Sequence, residues 1–288
     1  MIQLPPLVIV SGKGGVGKSA VAGGIAIAAH RNGARVLVAA MGPGTGLANH
    51  LGVGDLGTSA TEIEDGLSAL RVDRSRALAE YLEIQMGLPS IVAFGPALRA
   101  FDALASAAPG VREVVTMGKV LWEVRRGAWD VVVADAPATG QIASYLRAPR
   151  TISELVPAGR IREQAAWMGE ILEDADRSRL ILTTLAEELP TAETMETLEW
   201  LASQGVMGRT EVVANRLLPE LDVDDPGSLP SGRAGDAARL HLSLWEEQER
   251  WLDVLPADHS IPFYFGLMTS SEVSARMADE VEAWKSAG

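Results

Sequence analysis

The chain has 288 residues, 47% of them hydrophobic, enough for one large α/β domain or one such domain with a small insertion. Its 25 Lys and Arg against 38 Asp and Glu leave a formal net charge of −13, which repels phosphate backbones and anionic lipid heads and argues against nucleic acid or bare membrane as partners. It has no cysteine, which excludes disulfides, thiolate zinc sites and cysteine nucleophiles from these residues, and its histidines (His30, His50, His241, His259) show no metal-ligand spacing.

The N-terminal residues lack a basic stretch followed by a long apolar one, so no signal peptide is expected. The apolar run around Ala20 to Ala29 is too short for a bilayer span and contains Gly23 and Gly24. A cytoplasmic protein without direct membrane insertion is therefore the expectation. Strands are predicted at Leu7–Ser11, Arg35–Ala40, Leu67–Val72, Val131–Asp135, Arg179–Thr184 and Thr210–Asn215, with a short one near Ile261. Val131-Val132-Val133 and Leu180-Ile181-Leu182 are apolar without alternation, as strands covered on both faces are. A helix is predicted from Lys18 to Arg31, closed by Asn32-Gly33, and another from Arg74 to Met86, opened by Asp73. Two helix-like segments lie between Pro96 and Arg126, split by Pro109-Gly110, and the strandless stretch of about 88–126 is predicted to be a helical insertion in a single domain spanning 1–288. Asp222 to Gly235, rich in Asp, Pro, Gly and Ser, reads as a surface loop. Strands alternating with helices give an α/β class with a mostly parallel central sheet and helices on both faces.

The strongest signal is Gly12-Lys13-Gly14-Gly15-Val16-Gly17-Lys18-Ser19, a gapless G-x-x-x-x-G-K-[ST] phosphate loop between an apolar strand and a helix. Its glycines let successive backbone N–H groups point at phosphates, and the helix that continues through Ala20 adds its positive N-terminal dipole. Lys18 is expected at the β/γ-phosphates and the Ser19 hydroxyl on Mg²⁺. Asp135, closing the strand Val131–Asp135, is placed to hold a Mg²⁺-bound water, and the following loop, Ala136 to Gln141, to sense the γ-phosphate.

Lys13, directly after the first glycine, resembles the signature lysine of the deviant Walker A ATPases, which include ParA, MinD, the nitrogenase iron protein and ArsA. That resemblance implies a dimer in which Lys13 reaches the partner's nucleotide. Trp129 to Pro149 (WDVVVADAPATGQIASYLRAP) resembles the switch II region of the ArsA-like ATPases, the anion-pump and tail-anchored-protein-targeting group, and looks closest to the paired bacterial members. Leu67 to Tyr81, Leu182 to Leu198 (LTTLAEELPTAETMETL) and Val212 to Pro219 (VVANRLLP) are similar to further segments of that family, so the resemblance runs from Leu7 to about Phe265. It implies ATP and Mg²⁺ as cofactors, Asn215 as reader of the adenine edge, and a homodimer or a heterodimer with another ArsA-like subunit. It leaves any protein client unnamed.

The chain departs from the family in three places. Switch I usually reads D-P-A-[HS]-S-L, with an aspartate that positions the attacking water; here it is Gly42-Pro43-Gly44-Thr45-Gly46-Leu47. Losing a positioned base typically costs about 10²–10⁴-fold in rate. Gln141 replaces the usual histidine of switch II and is a candidate to orient water in its place. The cysteines that arsenite pumping and a zinc-bridged dimer require are missing. Three functions follow: a nucleotide-controlled ATPase subunit with catalytic candidates Lys13, Lys18, Asp135 and Gln141; a non-hydrolysing ATP-binding scaffold or regulatory subunit beside an active ArsA-like partner; and a ParA/MinD-type positioning ATPase. The acidic balance and the lack of a basic C-terminal helix weigh against the third.

Overall fold

The sheet order makes the first apolar run of the chain an inner strand, so the loop that follows it lies away from the sheet edges. The structure, a computed structural model, describes residues 3–86, 110–223 and 229–284. Among these, the strands are β1 (Leu7–Gly12), β2 (Val36–Ala40), β3 (Thr61–Glu64), β4 (Leu67–Arg71), β5 (Val131–Asp135), β6 (Ser178–Leu185), β7 (Thr210–Leu217) and β8 (His259–Pro262). The helices are α1 (Lys18–Arg31), α2 (Gly46–His50), α3 (Arg74–Met86), α4 (Val111–Arg125), α5 (Thr139–Leu155), α6 (Arg160–Glu173), α7 (Glu188–Gln204), α8 (Arg233–Leu252) and α9 (Ser270–Ala283). The sheet order is β3-β4-β2-β5-β1-β6-β7-β8, parallel throughout except for the β3–β4 pair. This is the α/β architecture expected from the sequence.

β1 lies between β5 and β6, and every residue of it is buried. Leu7 and Ile9 point to the face covered by α4, α5 and α6, while Val8 and Val10 point to the face covered by α1 and α9. A strand covered on both faces needs apolar residues at every position, hence the unbroken Leu-Val-Ile-Val. After β1 the chain moves to β2 on one side, and after β5 it crosses to β6 on the other. Such a switch point opens a crevice at the carboxyl ends of the strands, where open α/β sheets bind ligands.

Two differences from the sequence-based expectation have local causes. β3 was not expected; it is a four-residue edge strand, Thr-Glu-Ile-Glu, without a buried residue, joined to β4 by the two-residue turn Asp65-Gly66 with Gly66 at φ 85°. The loop expected over Asp222 to Gly235 ends earlier, because Arg233 to Gly235 already form the first turn of α8; residues 224–228 lie outside the described residues. Of the stretch 88–126, residues 88–109 also lie outside them. The remainder is mainly α4, whose Met117, Val120 and Leu121 are fully buried in the core under the sheet.

α9 packs on α1 through Gly23 and Gly24. A Cβ on Gly24 would lie 2.7 Å from that of Met277, and one on Gly23 would lie 2.9 Å from the Ser274 hydroxyl oxygen. The glycines, each costing about 1 kcal/mol against alanine in a helix, are there so that the two helices can approach closely. Gly24→Ala is therefore expected to lower stability by about 1–2 kcal/mol, overpacking outweighing the propensity gain. Gly169→Ala in α6, where the nearest atom to an added Cβ is Glu173 Oε1 at 3.9 Å, is expected to be neutral or stabilising. Urea unfolding midpoints of the two variants check the contrast.

Candidate active site

Gly12 ends β1, Lys18 opens α1, and the loop between them sits at the carboxyl ends of β6 and β7. It has little packing of its own, since Gly14 and Gly15 are exposed and a Cβ on either would meet nothing within 4 Å. Neighbouring strands give it shape. Gly12 lies against the Thr183 carbonyl of β6, where a Cβ would collide with the backbone. Gly17 has φ 99° and lies against the Asn215 amide, so both its conformation and its neighbour demand glycine. Val16 is buried, and its carbonyl accepts a 2.8 Å hydrogen bond from Asn215 Nδ2.

Asn215 is thus a brace beneath the loop. It is fully buried on β7, and its Oδ1 accepts from the backbone N–H of Arg216 at 2.9 Å. Arg216 holds a positive φ of 60°, which that side-chain bond helps to stabilise. The geometry gives Asn215 a loop-supporting contact that the resemblance alone did not suggest.

Lys18 and Ser19 are presented by the first turn of α1. Lys18 Nζ donates to the Lys13 carbonyl at 3.0 Å, and burial holds its pKa below the ordinary lysine value, with the charge of Asp135 opposing that shift. Ser19 Oγ donates to Asp135 Oδ2 at 2.7 Å. Burial pushes the Asp135 carboxyl above its usual pKa, while the Ser19 hydrogen bond and Lys18 pull it down. A hydroxyl and a carboxylate side by side, both oxygen donors and the second costly to keep ionised without a cation, form a set suited to Mg²⁺. Ala20, the next residue of α1, is buried in the core. Ser11 Oγ donates to the Pro137 carbonyl at 2.7 Å and ties β1 to the loop after β5.

Lys13 is turned back onto its own chain. Its Nζ is 2.5 Å from Glu193 Oε1 of α7, and Glu193 Oε2 accepts from the Thr139 hydroxyl at 3.3 Å. Glu193 had no role in the sequence-based reading, although it stands within the segment Leu182 to Leu198, and Thr139 figured there only as part of the loop Ala136 to Gln141. An acid near in space to Lys13 but 180 positions away carries no spacing signal. Gln141 is exposed in the first turn of α5.

The switch I stretch approaches the loop from the other side: a Cβ on Gly46 would sit 3.4 Å from Ser19 Oγ. Gly42 lacks a positive φ, and a Cβ there would meet nothing within 4 Å, so neither backbone nor packing requires a glycine. Thr45 is exposed just before α2, and that helix is tied to α9 by His50, whose Nδ1 lies 2.9 Å from the Ser270 carbonyl and 3.0 Å from Ser274 Oγ.

Residues 6–166 match the family model of the anion-transporting ATPases. The chain belongs to the ArsA ATPase family. It is 32% identical over 250 residues to ATPase BagA of Mycobacterium tuberculosis, covering 81% of this chain and 72% of that one. Similarity to the arsenical pump-driving ATPase of Acidiphilium multivorum is 27% over 279 residues, with 88% of this chain and 45% of the relative covered. Against ATPase GET3 of Phaeosphaeria nodorum it is 24% over 254 residues, with 75% and 78% covered. The loop between β1 and α1 lies within the matched residues, and the strand order agrees with the family match. No helix among the described residues is long and apolar enough to cross a membrane.

Removing the Asn215 side chain leaves the Val16 carbonyl and the Arg216 N–H without their partners. Asn215→Ala is expected to lower stability by about 1–3 kcal/mol and to weaken nucleotide binding in the same variant. Chemical unfolding and calorimetric titration with ATP check the two effects; unchanged values in both would show that the loop holds its shape unaided.

Proposed function

We propose that this ArsA-family chain binds Mg²⁺-ATP and acts in the cytoplasm as one half of a nucleotide-controlled dimer. The observation that carries the proposal is the pairing of Ser19 with Asp135 at 2.7 Å beside an open, braced phosphate loop. In this reading the N–H groups from Gly12 to Ser19 cradle the phosphates, and Lys18 neutralises the β/γ charge. Ser19 would hold Mg²⁺ directly and Asp135 through water, and the metal would supply charge neutralisation at the phosphate oxygens. The Gln141 amide is the group available to orient water, because position 42 carries no carboxylate. Lys13 serves the partner's nucleotide once the two faces meet, in a homodimer or with a second ArsA-like subunit. Arsenite capture is not part of the proposal, since this chain supplies no thiolate.

Gly42 favours a second reading, in which the chain holds ATP without cleaving it and supports an active partner. Turnover measured with and without Mg²⁺, with Lys18→Ala as the control for contaminants, separates the two. We expect slow turnover that disappears in Lys18→Ala. Gly42→Asp, which places a carboxylate in space that is open, is expected to raise the rate by about 10²-fold or more. Tight ATP binding with no turnover in either the wild type or Gly42→Asp would favour the non-hydrolysing subunit. Loss of ATP binding altogether would remove both readings.

A further inference from the structure

Lys13 leaves the loop between the buried Gly12 and the exposed Gly14, and its side chain is 30% exposed. A lysine on so open a loop loses side-chain entropy when it is held in one place, so an observed fixed partner needs a cause. Here the partner is Glu193, 41% exposed, on the second turn of α7. Its two carboxylate oxygens are divided: Oε1 takes Lys13 and Oε2 takes the hydroxyl of Thr139. Thr139 is buried and opens α5, the helix that follows Asp135 and the loop Ala136 to Ala138. One side chain therefore joins the phosphate loop to the start of α5.

We propose that Glu193 is the positioning residue for Lys13: it retains the lysine within its own subunit and, through Thr139, makes its release depend on movement at the start of α5. The proposal rests on the reading of the loop as a nucleotide site. It adds a mechanism by which an exposed lysine is withheld from a partner subunit until α5 moves. Neither contact is enough alone, because a half-exposed ion pair contributes little in water. Held together by one carboxylate, they make the position of Lys13 conditional on that of Thr139.

The chain has four lysines, Lys13, Lys18, Lys119 and Lys285, so labelling with an amine-reactive ester followed by peptide mass spectrometry reads each one separately. Lys119, held by Glu80 at 2.6 Å and Glu123 at 2.8 Å, is the internal reference. Glu193→Gln keeps the size of the side chain and an oxygen for the Thr139 hydroxyl while removing the charge that holds Lys13; a merely structural role would survive it. In that variant we expect Lys13 to be labelled about two- to fivefold faster, with Lys119 and the thermal midpoint unchanged. Thr139→Val, nearly the same shape, is expected to move Lys13 labelling in the same direction by a smaller factor. Equal labelling of Lys13 in wild type and Glu193→Gln overturns the proposal. Faster labelling in Glu193→Gln but wild-type labelling in Thr139→Val overturns the link to α5. ATP binding by wild type and Lys18→Ala, measured by calorimetry on the same preparations, tests the nucleotide-site reading separately: equal binding by the two would sink that reading whatever Lys13 does.

Discussion

A loop of glycines has no preferred shape in water, and everything at this site depends on one being imposed. The support comes from below and from the side. β1 is clamped between β5 and β6, the Asn215 amide props the Val16 carbonyl, and Thr183 leaves no space at Gly12 for anything but hydrogen. On that support the loop meets the N-terminus of α1, where unpaired backbone N–H groups and the helix dipole carry partial positive charge.

The same logic extends outward. α1 has to deliver Lys18 and Ser19 at a fixed height above the sheet, and its position is set by close packing on α9 through Gly23 and Gly24. α9 in turn holds α2 through His50, a histidine whose pKa is lowered by burial, with the Ser270 carbonyl bond opposing that shift. The last helix of the described chain thus supports both the helix that carries the phosphate loop and the short helix after switch I.

Glycine has opposite meanings at two positions of this site. At Gly17 a side chain is excluded by φ 99° and by the Asn215 amide, so the residue type follows from structure. At Gly42 a side chain would have room and an ordinary backbone, so structure does not explain the glycine.

Several features were determined by the sequence alone. The phosphate loop, β5 with Asp135 and the bounds of α1 and α3 could all be read from it, because each rests on contacts within a few residues: glycine spacing, an unbroken apolar run, helical periodicity and its end signals. Short β3 escaped because an exposed Thr-Glu-Ile-Glu has no apolar pattern, although Asp65-Gly66 carried a hairpin signal. The start of α8 escaped because Arg-Ala-Gly-Asp resembles the loop before it. Tertiary structure alone decided that Asn215 braces the loop from 199 positions away, that Glu193 meets Lys13, and that Gly23 and Gly24 face Ser274 and Met277. The physical reason is common to all three. Each is a contact between elements brought together by the sheet order, and a partner so distant in the chain leaves no periodicity or spacing by which to find it.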